Sequence, residues 1–338
     1  MATTSSTSQE PASVPQAAEE RRTPVSLGRE SGGILVLLIF FAVLILTTND
    51  FLTLTNLDNL IRQVAVFAIL SVGQLFVILT GGIDLSVGSV LGLSGGVTAL
   101  LLAGGVPIPI TILAGLGVGL GVGLINGLLV SQLKLPPFIA TLGMLGVARG
   151  VVLLLTGAKT IAPLPDAFNA IANGYILGLP SLFWLLILVA IVASFVLGRT
   201  VFGRYVYAVG SNSESARLSG VPVNLVLLAV YSISGLLAGF AGVLTTSRLG
   251  AGIPTAGTGY ELQAIAGAVI GGASLSGAKG RTIGAVLGAL IMAILANGGN
   301  LLGVDPFYLQ IAIGLLIILA VYFDNLQGRT FNFMRRAA

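Results

Sequence analysis

A small set of carboxylates, hydroxyls and amides interrupts an otherwise apolar chain. Asp84 stands in Gly81-Gly82-Ile83-Asp84-Leu85-Ser86, between two apolar runs. A carboxylate in the middle of a bilayer costs about 2.5–3.5 kcal/mol on insertion scales. Asp84 and Ser86 therefore either present oxygens to a polyhydroxy solute where the helices break, or Asp84 caps the next helix through its backbone N–H groups. Tyr260, Glu261 and Gln263 open another apolar run. Glu261 there either supports a helix N-terminus or faces a cavity. Asn126 and Asn297, with Asn300, lie in or beside apolar runs. Amides in such places bond helix to helix or contact a ligand.

Other chemistries are excluded by what is missing. The 338 residues include no His and no Cys. That removes imidazole relays, thiolate metal sites and disulfides. Gly272-Ala273-Ser274-Leu275-Ser276-Gly277-Ala278-Lys279 looks superficially like a phosphate-binding loop. Its Lys falls one residue late, and Gly280 follows where Ser or Thr is required. Any ATP must be hydrolysed on another polypeptide. No nucleophile, base and orienting group occur together, so no catalytic residue, metal site or cofactor is expected in this chain.

The elements that position these residues are read from hydropathy. Hydrophobic residues make up 55% of the chain, charged ones 8%, and mean hydropathy is +1.03. Soluble domains carry about 25% charged residues. The chain reads as an all-α, polytopic membrane protein. About ten spans are expected: 34–46, 63–79, 87–102, 110–130, 138–155, 182–197, 223–244, 262–272, 283–296 and 307–323. Residues 1–33 read as a disordered tail and 326–338 as a short basic tail, leaving 34–325 as the membrane domain. Gly115, Gly119, Gly123 and Gly127 recur every fourth residue, one helix face suited to close backbone approach.

The longest polar interruption is 203–220, G-R-Y-V-Y-A-V-G-S-N-S-E-S-A-R-L-S-G. Ser213, with Ala216, Arg217 and Leu218 downstream, suits the start of a short capped helix lying along a membrane surface. The plainer reading is a solvated loop. Ten helices put both termini on one side. Twelve basic residues then fall on that side, and only Arg62, Arg149, Lys159 and Arg248 on the other. By the positive-inside bias the termini and 203–220 are cytoplasmic. The basic residues are scattered over loops, so no nucleic-acid partner is expected. A weak echo between 81–86 and 271–276 makes internal duplication a possibility only.

Four stretches carry a resemblance: G-G-I-D-L-S-V-G-S (81–89), 203–221, P-T-A-G-T-G-Y-E-L-Q-A-I-A (254–266) and G-G-A-S-L-S-G-A-K-G-R (271–281). In order and spacing, from about 34 to 325, the chain resembles the permease subunits of bacterial ABC sugar importers, most closely the ribose type. The resemblance implies a ten-helix subunit in the bacterial inner membrane that pairs with a second copy. Two cytoplasmic ATPase subunits, which bind ATP and Mg, would dock below, and a periplasmic or extracellular sugar-binding protein would deliver substrate. It further implies that Asn212, Glu214, Ala216, Arg217 and Leu218 form the coupling element that meets the ATPase. The candidate path residues are Asp84, Ser86, Asn126, Tyr260, Glu261, Gln263 and Asn297. An ion-coupled transporter or channel acting alone is the competing class. Other monosaccharides, a nucleoside or a signalling furanose are competing substrates.

Overall fold

A computed structural model describes residues 41–305, 307–319 and 322. The expected tails lie outside these residues. So do much of the first predicted span and the end of the last. Within them the fold is helical. Residues 41–47 belong to α1. There follow α2 (Leu54–Leu79), α3 (Val87–Ala103), α4 (Ile108–Ser131), α5 (Pro137–Thr156) and α6 (Asp166–Asn173). A small antiparallel hairpin, β1 (Tyr175–Ile176) and β2 (Leu179–Pro180), leads to α7 (Ser181–Arg199). Then come α8 (Val201–Ser211), α9 (Ser213–Leu218), α10 (Val223–Leu249), α11 (Tyr260–Ile270), α12 (Thr282–Leu301) and α13 (Phe307–Leu319).

Six of the described helices are long and apolar enough to cross a membrane: α2, α4, α5, α7, α10 and α12. Three more, α3, α11 and α13, are apolar but shorter. The boundaries follow local signals. Thr53 Oγ1 accepts from Asn56 N and caps α2. Pro137 opens α5, where its missing N–H costs nothing. The expected span at 63–79 starts too late, because α2 begins at Leu54.

The core is built around α2 and the α4–α10 pair. Every residue of α2 from Val64 to Leu79 is buried, as befits a helix apolar on all sides. The glycine face of α4 lies on α10: Gly119 meets Gly235 O and Gly239 Cα, Gly123 meets Tyr231 O and Gly235 Cα, and Gly127 meets Leu228 Cα. At Gly119 and Gly123 the backbones touch with no side chain between them, as the four-residue spacing predicts. Outward-facing Leu113, Leu154, Leu188 and Phe195 on α4, α5 and α7 remain exposed. They form the apolar girdle that a bilayer covers.

Two basic residues counted with the outer-side charges lie inside helices. Arg62 is buried on α2. It donates to Ala172 O and Asn173 O and sits over the Tyr175 ring, pinning α6 and the hairpin to α2. Arg149 sits within α5 and donates to Pro254 O and Ala256 O (3.0 Å). Basic side chains carry apolar stems, so hydropathy alone does not tell an anchoring Arg from a loop Arg.

Candidate functional site

The chain breaks twice, and each break carries a carboxylate. The first follows α2. Gly81 takes φ +79° and turns the chain back along the helix it has just left. Ile83 O accepts from Thr141 Oγ1 of α5 at 3.1 Å. The Gln74 carboxamide, with its nitrogen facing Asp84 O, donates at 3.0 Å and accepts from Asp84 N at 3.1 Å. α3 starts only after this loop, at the level of the α2 interior.

Asp84 is 1% exposed. Its Oδ1 accepts from Ser86 N at 3.0 Å and from Ser86 Oγ at 2.6 Å. Its Oδ2 accepts from Ser234 Oγ of α10 at 2.9 Å. Ser86 Oγ in turn accepts from Asn126 Nδ2 of α4 at 2.9 Å. Thus Asp84, Ser86 and Asn126, candidates from sequence, meet in one buried knot with Gln74, Thr141 and Ser234. The N-cap position of α3 is Ser86, two residues after Asp84. Asp84 satisfies the helix start through Ser86 N–H rather than from the cap position itself. Its oxygens are occupied by protein donors, as a buried carboxylate requires. In the same region the Tyr231 hydroxyl is buried beside Gly82 without a partner among the described residues.

The second break follows α10. Gly250 ends that helix in the left-handed region, and the chain then descends along α3. Gly252 packs on Ala99, Ala256 O on Gly92, and Gly257 O on Gly88. Eleven residues of α3 separate the first contact from the last, about 16 Å of helix axis. Glu261 therefore lies beside the start of α3, well away from the part of α3 that Gly252 meets. Its Oε2 lies against Gly88, the second residue of α3. Glu261 takes the backbone N–H groups of Gly259 and its own residue and lies in the field of Arg149. Its carboxylate is partly exposed and no side-chain hydrogen bond ties it down among the described residues. Tyr260 packs edge-on against Phe67 of α2, with ring centroids 4.9 Å apart. Gln263 Oε1 is buried without a partner. The first turn of α3 thus separates the Asp84 knot from the Glu261 group.

Asn297 joins neither group. It exchanges two hydrogen bonds with Asn56, at 2.8 and 3.1 Å, and clamps α12 to α2. A cavity of about 530 Å³ at the end of the bundle farthest from α9 is lined by Asp58, Asn59, Arg62, Asn173, Tyr175 and Arg248. None of the candidate path residues borders it.

The stretch 203–220 forms two helices joined at a single residue. Asn212 closes α8 and caps α9, with Oδ1 accepting from Ser215 N at 2.8 Å. Arg217 pairs with Glu214 through two bonds, at 2.6 and 3.0 Å, on the exposed side of α9. The guanidinium holds the Glu214 carboxyl below the usual carboxylate range. Leu218 is 76% exposed, an apolar side chain left uncovered at the helix end. Ala216 differs from the expectation. It is buried against the chain's own fold and lies off the free face. One position in a six-residue helix must point inward, and sequence alone does not say which.

Comparison with known proteins covers most of the chain. Residues 56–321 match the family described as branched-chain amino acid transport system / permease component. The ribose import permease protein RbsC of Escherichia coli K12 is 42% identical over 300 residues, 88% of this chain and 94% of that protein. The Bacillus subtilis 168 protein of the same name is 43% identical over 295 residues, 87% of this chain and 91% of that one. The D-allose transport system permease protein AlsC of E. coli K12 is 41% identical over 285 residues, covering 84% and 87%. No solved structure matches the chain. With long apolar helices, broken spans and full-length similarity, the chain belongs to this family of multi-pass transport permeases, in its ribose-type group.

Proposed function

We propose that this chain is the membrane subunit of an ATP-binding-cassette importer for ribose or a related monosaccharide. It forms the path and leaves ATP hydrolysis to a partner. The observation that carries this reading is 42% identity to a ribose import permease over nearly the full length of both chains. The second strand of support is α9, a capped, surface-lying helix with a paired Glu214–Arg217 and an uncovered Leu218. Such a helix suits docking into the groove of a cytoplasmic ATPase. The two broken spans, which meet at Gly88, suit a path for a polar solute, since irregular backbone at membrane depth occurs where it lines a cavity or is buried in protein.

In this reading ten helices cross the bacterial inner membrane and both termini are cytoplasmic. Arg62 on α2 and Arg149 within α5 are tied to backbone carbonyls of the fold, Arg248 stands in the last turn of α10, and Lys159 is the basic residue left in an outer loop, so the inward charge bias holds. A second copy completes the path, and a binding protein presents the sugar at the outer end. The decisive experiment is reconstitution with the ATPase and binding protein, followed by ATP-dependent uptake across a panel of pentoses, hexoses and nucleosides. Uptake of ribose above the other sugars is expected. Uptake that needs a proton or sodium gradient and ignores ATP would overturn the reading.

A further inference from the structure

The phosphate-loop lookalike between α11 and α12 has a different use. It lies between the coupling stretch and both breaks. Gly210, in the last turn of α8, is packed so tightly on Leu79 O and Ala278 N that a Cβ there has no room. Gly277 is packed on Gly210 in the same way. Ala278 N donates to Leu79 O, the last carbonyl of α2, at 2.9 Å. Tyr207 of α8 reaches the loop with its hydroxyl, which donates to Gly280 O at 2.9 Å. Three backbones, those of α8, the end of α2 and the loop, therefore cross at one point.

The loop is stiff and strained where it makes this contact. Ser274 N donates to Lys279 O, and Gly277 N to Ser274 O, each at 2.9 Å. Gly277 takes φ +91° and Ala278 φ +57°. Left-handed backbone at an alanine is costly and persists only where its surroundings hold it. Here it aims the Ala278 N–H at Leu79 O. Two residues beyond Leu79 the chain enters the Asp84 break. In the other direction, the loop is continuous with α11, which starts at Glu261's turn. At this same end α8 is joined to α9 through Asn212 alone.

We propose that the 271–281 loop is a socket that receives α8 and passes displacement of α9 to both breaks, with Gly210, Tyr207, Gly277 and Ala278 as positioning residues. The socket touches neither nucleotide nor sugar. It rests on the coupling role proposed for α9. Packed backbones have no side chain to absorb a shift, so a push on α8 reaches α2 and the loop undiminished.

The test is the ratio of ATP hydrolysed to sugar imported in proteoliposomes holding permease, ATPase and binding protein. Tyr207→Phe removes one hydrogen bond and keeps the ring. It should raise the ratio roughly fivefold, the scale of one neutral hydrogen bond, while the amount of permease and the retained ATPase stay constant. A purely structural role would instead lower yield, ATPase activity and uptake together. Gly210→Ala should raise the ratio further, and Ala278→Gly, which keeps the donor and relieves the strain, should stay within about twofold of the parent. If Gly210→Ala does not fold, Tyr207→Phe decides alone. Arg217→Ala separates the two ideas. If it uncouples while Tyr207→Phe and a folded Gly210→Ala retain the parent ratio, the socket is wrong and α9 still couples. If Arg217→Ala also retains the parent ratio, the coupling reading falls and the socket with it.

Discussion

The two breaks differ in how their carboxylates are held. Asp84 is closed in by Ser86 and Ser234, with Gln74 on its backbone and Asn126 on Ser86. Glu261 has backbone donors and a nearby Arg149, but no side chain bonded to it among the described residues. The first arrangement fixes a loop between four helices. The second leaves an anionic group beside a helix start with capacity to spare. The lesson is that a polar residue at a break is not by that fact a ligand residue. What matters is how many of its lone pairs the protein has already taken.

The largest effect should come from Asp84→Leu. It strands the Ser86 and Ser234 donors in the core and should cost about 3–5 kcal/mol, at roughly 1–3 kcal/mol for each buried donor left unmade. Loss of folded permease in detergent is the readout. A well-folded, normally stable Leu variant would break the contrast. Arg149→Leu comes next. It frees Pro254 O and Ala256 O of their donor, a loss of roughly 1.5–3 kcal/mol. Hydrogen exchange should quicken at 250–259 and remain unchanged at 80–86.

Asp84→Asn keeps the shape and two acceptor bonds, and should cost about 1–2 kcal/mol. Glu261→Gln should alter stability by no more than about 0.5 kcal/mol, yet lower uptake about tenfold, equal to ~1.4 kcal/mol of barrier. Paired thermal unfolding and uptake sharpen the comparison: equal stability losses for the two amide variants would erase it. The smallest effect concerns Glu214. Its pKa is depressed in the folded chain by Arg217, so the pair is formed above the unfolded value and is lost only as pH falls through the folded one. ATPase retention should therefore show no step from Glu214 between about pH 8 and pH 5. A Glu214→Gln variant that abolishes such a step would contradict this.

Much of the fold was legible because long apolar runs leave little choice. The starts of α3 and α5 and the α4 glycine face follow from hydropathy and spacing. The position of Glu261 beside the start of α3 was hidden. Its approach, Gly250 to Gly259, is rich in Gly, Pro and Thr, and such composition reads as a surface turn wherever it lies. The Asp84 knot was half visible. Ser86 is a neighbour in sequence, but Ser234 is 150 residues away and looks like any serine in a span. Asn297 takes the helix-to-helix use that the sequence offered it, but its partner Asn56 lies 241 residues away and carries no local mark. The coupling stretch showed a short capped helix, but not that Asn212 caps it in place of Ser213, that Glu214 pairs with Arg217, or that Ala216 turns inward.

Where Gly119 and Gly123 of α4 lie on Gly235 and Gly239 of α10, no rotamer stands between the two main chains. Such a joint cannot creep. Axial slip would have to leap a whole turn, past the steric wall that each Cα presents to the next. The pair therefore behaves as a plank, and whatever opens and shuts during a cycle must do so along other seams.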